Sequence, residues 1–182
     1  MPLHRQNGGK SMNFMIKGTA VAPQALLDQR EYRAEELERL SKVHPQATLL
    51  SFKLNIPGPI KTNDILKTVF EDGLLRIQLS LPDLEIITVS HAVTGPEAIL
   101  RTAVHSELVK KTMVKLEESS PLARLYDIDV HYGGIAWVRD ELGLPPRSCL
   151  LCDKPAKVCG RMGTHTLEEL LEAVERLILT NR

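Results

Sequence analysis

Between Leu125 and Gly133 the chain alternates: Tyr126, Ile128, Val130 and Tyr132 are aromatic or β-branched at every second position, and Asp127 and Asp129 fall between them. Period two marks a half-buried strand, in which successive side chains point to opposite faces. The two carboxylates therefore share one face, above an apolar reverse side. Gly133-Gly134 then gives a tight turn into Ile135-Ala136-Trp137-Val138 as a hairpin partner.

Elsewhere the pattern predicts helices and further strands. From Pro23 to Ser41, Leu26, Leu27, Ala34, Leu37 and Leu40 form a helical stripe, with Arg30 near its middle and Arg33 on its edge. Either these arginines extend past the leucines or they face a cleft that takes an anion. Leu49 to Ile56 reads as a strand stopped by Pro57-Gly58-Pro59, and Asn63 to Ser80 as a helix capped by Asn63 or Thr62. Leu84 to Ser90 is a strand. Thr94-Gly95-Pro96-Glu97 has capping-box spacing and predicts a short helix. Ser106 to Lys111 is a helical turn, and Val114 to Glu117 a strand pairing antiparallel with the Asp-x-Asp strand, which would bring Glu117 or Glu118 up as a third acid. Thr166 and Glu169 form a second capping box ahead of an amphipathic helix carrying Leu170, Leu171, Val174 and Ile178. Met1 to Gly18 is polar and aperiodic and is expected to be a flexible tail; residues 19–182 are expected to form one domain. Gly9-Lys10-Ser11 resembles the end of a phosphate loop, but His4 stands where its first glycine belongs. The fold class expected is α+β: a mixed, mainly antiparallel sheet with helices packed on one face, nucleotidyltransferase-like.

Composition narrows the partners. Lys plus Arg and Asp plus Glu each number 23 in 182 residues, so no net field attracts nucleic acid or an anionic membrane. No apolar run approaches a membrane span, and the N-terminus lacks the apolar core of a signal peptide. Three cysteines crowded between 149 and 159 fit a reducing compartment. A cytoplasmic location is expected.

Paired carboxylates repel unless a cation lies between them, and Mg²⁺ is bound by one or two carboxylates together with substrate phosphates. Asp127 and Asp129 are thus candidate Mg²⁺ ligands and catalytic residues for phosphoryl or nucleotidyl transfer, with Glu117 as a third ligand. The Pro57-Gly58-Pro59 turn, Lys61 and a following helix N-terminus are the ingredients of a phosphate site. Cys149-x2-Cys152-x6-Cys159-x5-His165 offers four ligands suited to tetrahedral Zn²⁺; the bland alternative is three small buried cysteines.

Taken in order, Ser51-Phe52 through Pro57-Gly58-Pro59-Ile60-Lys61, Gly95-Pro96-Glu97, Pro121 to Val130, Pro145-Pro146-Arg147-Ser148-Cys149-Leu150-Leu151-Cys152, Val158-Cys159 and Arg161 to His165 resemble the apo-citrate lyase phosphoribosyl-dephospho-CoA transferase family, the holo-citrate lyase acyl-carrier-protein synthases, over roughly residues 25–180. The chain departs from the family's H-P-L-G-R-L at Ser120 and Ala123. The resemblance implies transfer of a prosthetic group from 2′-(5″-triphosphoribosyl)-3′-dephospho-CoA to a serine of the citrate lyase acyl carrier protein, the gamma subunit, with release of pyrophosphate. Such a reaction calls for cations around a triphosphate, and Arg30, Arg33, Lys61, Arg124, Arg147 and Arg161 are the candidates to bind the donor. Two other readings stand beside it: a related nucleotidyltransferase acting on another carrier protein, and a non-enzymatic, zinc-stabilised interaction module.

Overall fold

The structure, a computed structural model, describes residues 14–181; the phosphate-loop-like segment and most of the expected tail lie outside them. Ten main elements follow in order: α1 (Pro23–Val43), β1 (Thr48–Leu54), α2 (Asp64–Ser80), β2 (Glu85–Ala92), β3 (Gly95–Thr102), α3 (Ser106–Glu117), β4 (Tyr126–Tyr132), β5 (Ile135–Ala136), α4 (Ala156–Met162) and α5 (Leu167–Thr180). The strands make one five-stranded sheet in the order β2-β3-β1-β4-β5. Every strand pairing among the described residues is antiparallel, so the expected mixture with parallel strands is absent there.

Alternation along the central strand β1 decides what covers each face. Leu50, Phe52 and Leu54 enter the main core with Ile128 and Val130 of β4, beneath α2, α3 and α5. Leu49, Ser51 and Lys53 point the other way. Leu49 and Ile99 on that second face are covered by Leu37 and Leu40 of α1. Helices therefore lie on both faces, not on one as expected, because two apolar residues on the outer face need a cover of their own. Phe14 and Met15, within the expected tail, are buried in the main core.

Local signals account for several boundaries. The Asn63 side chain accepts the Leu66 N–H at 2.9 Å and starts α2. Thr166 and Glu169 form the anticipated capping box of α5. Gly133 and Gly134 adopt φ of 57° and 81°, the left-handed values that a two-residue hairpin turn between β4 and β5 requires. Gly73 serves packing: a Cβ there would lie 2.7 Å from the Phe52 ring and 2.9 Å from that of Tyr126.

Two expectations fail for identifiable reasons. Thr94 to Glu97 does not open a helix; Val93-Thr94 is the turn of a β2–β3 hairpin in which Ala92 pairs with Gly95. A cap contributes about 1 kcal/mol, whereas β3 gains two ladders and buries Ala98 and Leu100 on one face and Ile99 on the other. Val114 to Glu117 is the last turn of α3, not a strand. Four alternating residues fit either period, and Val109, Met113 and Val114, all buried, carry the helical one.

Candidate active site

The outer face beyond α1 is polar, and the register arranges its charges in a row. Lys53 lies opposite Glu97 on one side and Asp127 on the other. Glu97 is held by Arg33 at 2.6 Å and by Gln29. Asp127 pairs through one oxygen with Lys53, while its other oxygen lies 3.6 Å from Arg147. Signs alternate along Arg33, Glu97, Lys53, Asp127 and Arg147. Burial presses the Lys53 ammonium down to about 8 against the pull of Asp129, with Arg33 and Arg147 adding to the depression.

Asp127 and Asp129 share this face, as the alternation predicted, and both line a cleft of about 650 Å³ with Lys110, Trp137, Arg147 and Lys157. Asp129 also borders a second cleft of about 390 Å³ containing Arg30, Arg33, Ser51 and His131. The exposed Asp129 thus stands where the two clefts meet. Burial lowers the basicity of Lys110, Arg147 and His131, consistent with a partly desolvated, cation-rich site that suits a polyanion.

The open edge of β4 is satisfied by side chains from around this cleft. Glu117 accepts the Ile128 N–H at 3.0 Å through one oxygen and pairs with Arg139 at 2.8 Å through the other. Arg147 donates to the carbonyls of Arg124 and Tyr126, and Lys110 approaches that of Ile128 at 3.4 Å. Backbone groups on an edge strand need such partners when buried.

Of the six basic residues anticipated, Arg30, Arg33 and Arg147 border the two clefts. Lys61 donates to the Ile56 carbonyl at 2.5 Å and lines a small cavity beside Arg33 and Lys53. Arg124 turns away, donating to the Cys149 carbonyl at 2.5 Å, and Arg161 is exposed on α4. Lys53, Lys110, Arg139 and His131 escaped the sequence reading. Lys53 alone carried a signal, the one charge inside an otherwise uncharged strand, but its neighbours follow only from the register.

The cysteine spacing produces a real cluster. One ligand atom from each of Cys149, Cys152, Cys159 and His165 falls within 4.8 Å of all the others, a set able to hold a metal ion such as zinc. Burial raises the Cys149 thiol, but N–H groups of Leu151 and Cys152 together with hydrogen bonds from the Cys159 and Cys152 thiols outweigh this and leave it below its ordinary value.

Comparison with known proteins identifies relatives of this chain. A protein from Streptococcus pyogenes named "Probable apo-citrate lyase phosphoribosyl-dephospho-CoA transferase" is 39% identical over 169 residues, 90% of this chain and 88% of that protein. An Escherichia coli protein named "Apo-citrate lyase phosphoribosyl-dephospho-CoA transferase" is 38% identical, over 87% of this chain and 89% of its own length. "Protein CitXG" of Leuconostoc mesenteroides subsp. cremoris is 37% identical over 94% of this chain, which spans only 36% of that longer protein. Residues 21–181 match the family model described as apo-citrate lyase phosphoribosyl-dephospho-CoA transferase, and the chain belongs to that family.

Proposed function

We propose that this protein transfers the 2′-(5″-phosphoribosyl)-3′-dephospho-CoA group from its triphosphate donor to a serine of the citrate lyase acyl carrier protein. The serine oxygen attacks the innermost phosphorus of the triphosphate. A new P–O bond forms, the bond to the next phosphate breaks, the hydroxyl proton passes to a base, and pyrophosphate leaves. The observation that carries this reading is the meeting of Asp127 and Asp129 with Lys110 and Arg147 at one cleft, with Lys53 paired to Asp127 from the neighbouring strand, in a chain of this family.

In this reading the 650 Å³ cleft takes the donor: Arg147, Lys110 and Lys157 neutralise its phosphates, and Trp137 offers a surface for its adenine ring. The acceptor serine approaches Asp129 from the Arg30, Arg33 and His131 side. Asp127 and Asp129 fit Mg²⁺, being two carboxylates displayed together beside a cleft; the ion would supply neutralisation of the triphosphate. Glu117 joins the ligand set only by giving up Arg139, since both its oxygens are engaged. Zn²⁺ is the metal suited to three thiolates and an imidazole. The antiparallel sheet displaying two acids is the arrangement a nucleotidyltransferase-like fold would use, and reduced thiols are consistent with action in the cytoplasm.

The test is incubation with donor, Mg²⁺ and a panel of purified carrier proteins, followed by intact-mass analysis. The carrier from citrate lyase gains the prosthetic group, the others do not, and pyrophosphate appears in equal amount. Modification of a different carrier would move the acceptor assignment. Failure to modify any carrier, with no pyrophosphate released, would sink the reading.

A further inference from the structure

We infer that the Cys149-Cys152-Cys159-His165 centre is a closed metal clamp that holds Arg147 against Asp127, so that metal occupancy there sets the affinity for the phosphate donor. The inference rests on the reading of Asp127 as part of the transfer site and adds a second metal with a separate task.

Four protein ligands fill a tetrahedral ion's coordination and leave no position for substrate, which marks a structural site rather than a catalytic one. The separations suit zinc. Cys152 Sγ lies 3.5 Å from Cys159 Sγ and 3.4 Å from His165 Nε2, near the edges of about 3.8 and 3.5 Å expected for bonds of about 2.3 Å to sulfur and 2.0 Å to nitrogen.

The ligands tie together three separate segments. Cys149 and Cys152 belong to a loop, Cys159 to the short helix α4, and His165 to the residue before the α5 N-cap. Leu151, Val158 and Met162 are exposed, so the segment carries little apolar core of its own. Small units of this kind fold on their metal. Two backbone bonds, Cys149 N–H to Lys154 O and Ala156 N–H to Arg147 O, both 2.8 Å, fasten the loop onto itself.

Arg147 stands at the second of these rungs, two residues before Cys149. Its backbone carbonyl is bound within the clamp, while its guanidinium reaches out to the Arg124 and Tyr126 carbonyls and to Asp127. Arg124 closes the connection from the other side through the Ser148 and Cys149 carbonyls, at 3.2 and 2.5 Å. A series of hydrogen bonds, closed by the 3.6 Å ion pair of Arg147 with Asp127, therefore runs from the four-residue cluster to the acid of the transfer site. Releasing the metal frees the loop, and Arg147 with it.

The experiment uses the full-length protein, zinc-loaded and chelator-stripped. Metal analysis should give one zinc per chain. Hydrogen exchange should rise on stripping in peptides spanning residues 144–158 and stay unchanged in β1, and the emission of Trp137, the single tryptophan, should shift because it lines the same cleft. Donor affinity should fall about tenfold or more, the usual scale for loss of a supporting shell. Arg147→Ala in the loaded protein should lose as much, and stripping that variant should add little, because the two changes act through one contact. Cys152→Ser should behave as stripped protein that zinc does not restore, and His165→Cys, which keeps a ligand, should retain the metal. Less than stoichiometric zinc, unchanged exchange at 144–158, or additive losses in Arg147→Ala would overturn the clamp. Should the loaded protein bind no donor at all, the transferase reading falls, and metal content and exchange alone still decide whether the clamp exists.

Discussion

Lys53 and Asp127 stand directly opposite each other across the β1–β4 pair and are joined as an ion pair on the open face of the sheet. The cation that neutralises the acid thus comes from the sheet's central strand, fixed by ladder geometry rather than by a mobile loop. In the proposed reaction, Mg²⁺ would replace Lys53 at that carboxylate and leave the ammonium free for the triphosphate.

Lys53→Met should therefore lower transfer at least about tenfold while the fold persists. It should also change the dependence of stability on pH. Folding depresses this ammonium from 10.5 to about 8, so between those values the unfolded chain binds more protons and stability rises with pH. Urea denaturation across that window should show the wild-type rise reduced in Lys53→Met; equal slopes would place the burial cost elsewhere.

Replacing the two acids should separate chemistry from stability. Asp127→Asn and Asp129→Asn should each abolish transfer. Asp127→Asn should also cost about 1 kcal/mol, since Lys53 and Arg147 lose their shared counter-charge, whereas the exposed Asp129 should change stability by less than about 0.5 kcal/mol. Intact-mass transfer assays beside denaturation curves will tell whether the pair splits in this way.

Glu117→Gln isolates the third acid. A glutamine can still accept the Ile128 N–H but weakens the bond to Arg139, both groups being largely buried. A stability loss of about 1–3 kcal/mol is expected, with the Mg²⁺ concentration for half-maximal rate unchanged. A clear rise in that concentration would put Glu117 among the magnesium ligands.

Gly73→Ala probes how α2 supports the acids. Helix propensity favours alanine by about 1 kcal/mol, but its Cβ would press on Phe52 and Tyr126 at 2.7 and 2.9 Å, and such overpacking costs about 1–3 kcal/mol. The melting temperature should fall. Because Tyr126 begins the strand that carries Asp127, the transfer rate should fall too; a more stable variant would mean that α2 can move away freely.

Elements specified by nearby residues were legible in the sequence. The alternation from Tyr126 to Tyr132 gave β4 and set both aspartates on one face, Asn63 and Thr166 gave their helix starts, Gly133-Gly134 gave a turn, and the cysteine spacing gave the Cys3His cluster. Each depends on interactions within a few residues, or on ligands whose spacing already limits where they can meet. Thr94-x-x-Glu97 shows the limit: its local helix signal yields to a central strand position that no nearby residue reveals. Only tertiary structure decided that Lys53 would face Asp127, that Arg33 would reach Glu97, that Glu117 would arrive from a helix, and that Arg147 would lie between the Cys3His cluster and the acids. Those neighbours are set by strand register and by which face each helix covers, and both follow from burying apolar residues far apart in the chain.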